Sequence, residues 1–250
     1  MEDTTIFHIT HWKAGSQWIK RILKEAAPRR YIDSKIAPRK YVDSKINIAH
    51  FLNDPIRQGY IYPTVYVTKE QFESVSLPSK WSRFIVIRDL RDTLVSGYFS
   101  MKISHPILTD YNKELRTNLN SMSFDDGMIF LAEGWLKGSA AIQKSWVDLG
   151  EEIIRYEDLL QNDTEILTKT LIDKCGLNIS KDKLFKIIMA SRFEVLTGGR
   201  KKGDEDIYSH ERKGICGDWK NYFSEKISER FKLLYGDLLI ATGYEKDMIW

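Results

Sequence analysis

The chain has 250 residues, 42% of them hydrophobic and 12% aromatic, which is enough to bury a core and too apolar for a disordered segment. Its 38 basic and 35 acidic side chains leave a net charge of +3, too mild to demand a nucleic acid or a membrane surface as partner. Its two cysteines, Cys175 and Cys216, stand far apart and outside any Cys/His cluster. That argues against a disulfide framework or a structural zinc and suits a reducing cytoplasm.

The opening residues 1–6 are acidic and lack the basic and apolar regions of a signal peptide. No apolar run is long enough to span a bilayer. In chain order, 6–10 reads as a short strand, followed by a glycine-containing turn and an amphipathic helix over 16–26 with Ser16 at its N-cap. A tandem repeat follows. APRRYIDSKI at 27–36 returns as APRKYVDSKI at 37–46, which is read as a lengthened surface loop or lid. Two copies are too few for a solenoid.

Residues 64–68 form a second strand candidate, and the continuous apolar run at 83–87 a third, covered on both faces. Helical pattern runs over 91–101 and 124–149. Residues 152–156 close the strand set, and helices follow at 164–175, 181–190 and 224–242. The glycine- and charge-rich stretch 198–217 reads as a loop. Strands alternating with helices imply an α/β fold of three layers, a mostly parallel sheet flanked by helices, with no linker dividing the single domain 1–250.

Three segments carry chemistry. The first is the strand–turn–helix around His11-Trp12-Lys13-Ala14-Gly15-Ser16-Gln17-Trp18. A turn opening a helix presents unpaired N–H groups and the positive end of the helix dipole to an anion. Lys13 adds charge, and Ser16 and Gln17 add donors. The lysine precedes the glycine, so this is not a Walker loop. The second is Arg88 to Ser96, at the carboxyl end of the buried strand, where α/β sheets bind ligands. Arg88 suits a phosphate gripped in bidentate fashion, and it is also spaced for an ion pair with Asp92. The third runs from Arg212-Lys213-Gly214 to Phe223, two cations beside a glycine that exposes its backbone N–H. Each segment also admits a plain structural reading: a strand–helix turn, a helix-start ion pair, a solvated basic loop.

Together they resemble the PAPS-dependent sulfotransferases of the cytosolic type. Trp12 to Trp18 resembles that family's Y-P-K-S-G-T-T-W loop, with His11-Trp12 in place of its Tyr-Pro, and Arg88 to Ser96 its R-N-x-K-D-x-x-x-S signature. Arg155-Tyr156-Glu157-Asp158-Leu159 is similar to its Y-E-D-L segment, and Ser191 to Leu196 to T-S-F-E-x-M. Arg212 to Phe223 is close to R-K-G-x-x-G-D-W-K-N-x-F, the most specific of the five, and all five stand in the family's order.

The resemblance implies a P-loop-like nucleotide-binding topology and transfer of a sulfuryl group from PAPS to a small-molecule acceptor, releasing PAP without a metal. It implies that Lys13 meets the phosphosulfate, with Ala14, Gly15, Ser16 and Gln17 around the 5′-phosphate and Trp18 on adenine. Arg88, Ser96, Arg212, Lys213 and Gly214 would hold the 3′-phosphate, and Tyr156, Ser191 and Phe193 would line the adenine side. The chain departs from the family where its histidine base is expected. Counted ungapped from Pro63, Lys69 takes that place. Glu70, His11 and His105 are the candidates to replace it. The family's dimer segment is not evident either, and Leu239 to Glu245 stands there, so the oligomeric state stays open. The other readings are a P-loop phosphotransferase, which lacks its Walker lysine and magnesium-binding aspartate here, and a non-catalytic nucleotide- or RNA-binding protein.

Overall fold

A computed structural model describes residues 3–32, 41–43, 48–50, 56–147 and 151–250, with only the backbone of 41–43 and 48–50 described. Its centre is a four-stranded parallel sheet of β1 (Thr5–Ile9), β4 (Ile61–Val65), β5 (Trp81–Ile87) and β6 (Ile153–Arg155), in the order β4-β1-β5-β6. A separate antiparallel pair joins β2 (Tyr41–Asp43) to β3 (Ile48–His50). Most of the duplicated segment 27–46, namely 33–40 and 44–46, lies outside the described residues.

The inner strands are apolar on both faces, as a covered parallel sheet requires. On β5, Phe84 and Val86 join Ile6 under α1 (Ser16–Ala26), α7 (Tyr156–Thr168) and α8 (Lys181–Ala190), while Ile85 and Ile87 join Phe7 and Ile9 against Trp146. Trp146 belongs to α6 (Leu136–Val147) on the opposite face. A second apolar body forms where α3 (Leu90–Phe99), α5 (Phe124–Glu133), α6 and α10 (Glu225–Ala241) meet. The expected fold class therefore holds.

The elements differ from expectation in their bounds. β4 starts three residues before the expected strand and runs through Pro63. A proline is tolerated because β4 is an edge strand among the described residues, so its missing N–H breaks no ladder. Tyr156 opens α7 instead of ending a strand. The stretch 124–149 is two helices, broken at Gly134. The helix expected at 164–175 is the end of α7, kinked at Asn162, followed by a π-helical turn at Lys169–Lys174. Three helices went unforeseen. α2 (Lys69–Glu73) is started by a capping box between Thr68 and Gln71, and α4 (Asp110–Ser121) is capped by Thr109. A short helix α9 spans Phe193–Leu196.

The topology places the site. From β1 the chain steps outward to β4, then crosses back over β1 to β5. The carboxyl ends of β1 and β5 thus flank a point where strand order reverses, the crevice in which open α/β sheets hold ligands.

Candidate functional site

At the end of β1 the chain turns through two left-handed residues, Lys13 (φ 63°) and Gly15 (φ 78°). Lys13 carries a Cβ there, a conformation that costs L-residues about 1–2 kcal/mol. Gly15 is the N-cap of α1. No side chain caps this helix and no acidic residue lies in its first turn, so its positive end stays open to an anion. A Cβ on Gly15 would lie 2.6 Å from the Tyr156 ring, so only glycine lets the loop sit on that tyrosine.

The loop after β5 closes on the same place. The Arg88 guanidinium donates to the Lys13 carbonyl from Nη1 (3.0 Å) and to the Ile215 carbonyl from Nη2 (3.2 Å). It also lies 3.7 Å from Asp92 and 4.7 Å over the Tyr156 ring. Its buried Nε has no partner. Asp92 in turn accepts from the backbone N–H groups of Gly217 (2.7 Å) and Trp219 (2.9 Å), which docks the 198–217 loop onto α3. Burial pushes the Asp92 carboxyl above its ordinary range, against the pull of Arg88.

In that loop Arg212 pairs with Glu205 and with Asp218 (2.5 Å), and Lys213 donates to Asp218 at 2.7 Å. Gly214 (φ 67°) lies against Phe193, whose ring would sit 2.6 Å from an added Cβ. The Trp18 ring meets Tyr156 edge-on, with centroids 6.3 Å apart and its buried indole N–H without a partner. Glu157, next to Tyr156, accepts the Asp89 N–H at 3.1 Å and the Tyr244 hydroxyl at 2.7 Å, which ties α7 to the turn after β5.

The expected site residues therefore come from five segments whose neighbours touch. Ser191 is buried and donates its hydroxyl to Ile187 (2.8 Å). Ser96 lies partly buried in α3, and Gln17 is exposed. The electrostatics favour an anion. Desolvation, reinforced by Arg88 and Arg212 and opposed by Glu211, lowers the Lys13 ammonium to about 8. A cluster of cations, an open helix end and an orphaned Arg88 N–H fit a ligand with two phosphoryl groups and an aromatic base.

The base candidates separate. His11 is fully buried and both ring nitrogens are engaged, Nδ1 with the Trp12 carbonyl (2.9 Å) and Nε2 with the Arg88 N–H (3.1 Å). Glu70 is exposed on α2. Lys69 is also on α2; its N–H bonds Ser145 and its ammonium lies 3.6 Å from Glu73. Past the end of β4 it is Tyr66, not Lys69, that reaches the loop: its hydroxyl bonds Ser16 Oγ at 2.9 Å. Burial raises that phenol to about 12. His105 and the unforeseen His210 both lie within the field of Lys13. Each is lowered first by desolvation and next by Lys13, and His210 also feels His105. Only the charged, glycine-rich pattern of 198–217 marked the His210 segment in the sequence.

Among the described residues no cluster of three or more His, Cys, Asp or Glu is placed to hold a metal, and no helix is long and apolar enough to cross a membrane.

Known proteins share this plan. The chain is 24% identical over 262 residues to Sulfotransferase 2A6 of Mus musculus, covering 96% of this chain and 86% of that one. It is 25% identical to Cytosolic sulfotransferase 3 of Arabidopsis thaliana, covering 95% and 77%. The structure of mouse sulfotransferase SULT7A1 complexed with PAP superposes with a TM-score of 0.64 at 16% identity, over 97% of this chain and 88% of that one, a likeness of fold. The family model of the sulfotransferase domain matches residues 3–243, and the chain belongs to the sulfotransferase family.

Proposed function

We propose that this sulfotransferase binds PAPS across the β1–β5 crevice and passes its sulfuryl group to a hydroxyl or amine of a small-molecule acceptor. PAPS is the co-substrate and PAP the nucleotide product. The observation that carries the assignment of the site is the double grip of Arg88, which bonds the Lys13 carbonyl and the Ile215 carbonyl at once. A phosphate-sized ligand at Arg88 therefore meets the donor loop and the Arg212-Lys213-Gly214 segment together.

In this reading Lys13, Gly15, Ser16 and Gln17, with the Ala14 backbone, surround the 5′-phosphosulfate. Arg88, Ser96, Arg212, Lys213 and the Gly214 N–H hold the 3′-phosphate, exchanging part of their pairing with Asp92 and Asp218 for it. Trp18, Tyr156, Ser191 and Phe193 form the adenine side. During transfer the bond from sulfur to the phosphate oxygen breaks as the bond from sulfur to the acceptor forms. Lys13 stabilises the charge that gathers on the phosphate oxygen. The acceptor's proton goes to His105 or His210, which share the field of Lys13 and are neutral near pH 7, each held below its ordinary value. His11 and Glu70 are the weaker candidates: the first has no free nitrogen, the second is solvated. The chain acts as one domain, and a cytoplasmic setting agrees with the free thiols Cys175 and Cys216.

The test is transfer of labelled sulfuryl from PAPS to a panel of phenols, steroids, sugars and amines. Lys13→Ala should lower the rate by about 10²–10³, as loss of a charge-stabilising donor does. Unchanged transfer by that variant would remove Lys13 from the chemistry.

A further inference from the structure

His11 occupies a position where its family's donor-loop pattern has tyrosine, and its surroundings are built for it. The ring is fully buried. Nε2 receives the Arg88 backbone N–H (3.1 Å) and an amide N–H of Gln143 (2.8 Å), so the ring proton resides on Nδ1 and is donated to the Trp12 carbonyl (2.9 Å). The same Gln143 amide nitrogen donates to the Arg88 carbonyl at 2.6 Å. Both polar groups of residue 88 are thus held, one by His11 and one by Gln143 of α6. Gln143 is itself fully buried. From this fixed backbone the Arg88 guanidinium reaches the Lys13 and Ile215 carbonyls. Burial lowers the imidazole to about 4, so it stays a neutral acceptor at neutral pH.

We infer that His11, backed by Gln143, is a positioning residue that aims Arg88 and thereby sets selectivity for a 3′-phosphorylated nucleotide over its 3′-dephospho counterpart. The inference rests on the reading of Arg88 as a 3′-phosphate ligand. A protonated or absent ring would leave the Arg88 N–H unpaired in the interior and free the guanidinium to turn. The 5′ side of the site, made of Lys13, Ser16, Gln17 and the backbone of the turn, would be affected less.

The experiment is calorimetric titration of PAP and of adenosine 5′-monophosphate into wild type, His11→Ala, His11→Gln and Gln143→Leu. Wild type should prefer PAP. In His11→Ala and Gln143→Leu the PAP affinity should fall about tenfold or more, the scale of one lost hydrogen bond, while that for the monophosphate changes little. His11→Gln, which keeps a donor and an acceptor, should restore most of the preference. A preference for PAP that survives in both His11→Ala and Gln143→Leu would overturn the inference and leave Arg88 in place. Equal binding of the two nucleotides by wild type would overturn the Arg88 reading and this inference with it.

Discussion

In the proposed transfer Lys13 stabilises the leaving phosphate oxygen, and its environment makes its charge conditional. A lysine held near 8 is still an ammonium at pH 7 but is neutral by pH 9. Its protonated form is the one a phosphate binds, so PAP affinity should be flat below pH 8 and fall about tenfold per pH unit above it. Lys13→Arg, which stays charged, should flatten that profile; an unsloped wild-type profile up to pH 9.5 would show that Lys13 does not contact the nucleotide. His8 offers a second titration. Burial lowers it from 6.5 to about 4, while its Nδ1 bonds the Pro63 carbonyl at 2.6 Å. Between those values the unfolded chain takes up a proton that the folded one does not. The stability His8 contributes is therefore complete above pH 6.5 and is lost as pH falls toward 4. By pH 5 the loss is about 2 kcal/mol. Replacing His8 by Phe should reduce the fall in urea stability between pH 7 and 5 by that amount relative to wild type. Wild-type and variant curves that stay parallel would refute the assignment.

The elements that carry the site are a strand end, a turn and a helix start, and the turn sets the tightest condition. Gly15→Ala places a methyl 2.6 Å from the Tyr156 ring at a positive φ. It should weaken PAP binding strongly and cost about 1–3 kcal/mol of stability, read by urea unfolding; near-wild-type affinity would mean that the loop does not rest on Tyr156. This is also the scale at which the sequence is most legible. The strand, the turn and the helix over 16–26 were readable because apolar period and glycine position agree there, and the helix bounds match. The expected strand at 64–68 and the observed β4 differ by three residues, and β4 includes Pro63, which an edge strand accepts. α4 was missed because it buries little more than Leu115 and Leu119 and exposes a polar face. At the site, cations were legible by motif spacing. The Arg88–Asp92 pair was legible from its spacing as well, but the grip of Asp92 on the Gly217 N–H, 125 residues away, and that of Gln143 on the Arg88 carbonyl were not, since they act across the fold. Tyr66 and His210 were hidden for the same reason.

Across the molecule, buried ion pairs and aromatic rings join the segment that follows Arg212-Lys213-Gly214 to the helical body. Arg91 pairs with Asp89 at 2.7 Å and with Glu245 at 2.5 Å, and its guanidinium lies against the indoles of both Trp219 (3.9 Å) and Trp250 (4.5 Å). Arg91→Met would leave Asp89 buried without its partner and should cost about 3–5 kcal/mol. Because Trp219 stands in the segment docked on Asp92, the same change should also weaken PAP binding; lost stability with unaltered affinity would separate the staple from the site. The proposed activity begins with one binding event, a nucleotide with phosphates at both 3′ and 5′ positions seated between the ends of β1 and β5. The most direct measurement is the thermal unfolding of the protein with and without PAP, alongside ATP with magnesium. Expected is a clear rise in melting temperature with PAP, equivalent to about 2.7 kcal/mol at a hundredfold excess over Kd, and little effect of ATP. No rise with PAP, or a larger one with magnesium ATP, would contradict the central claim.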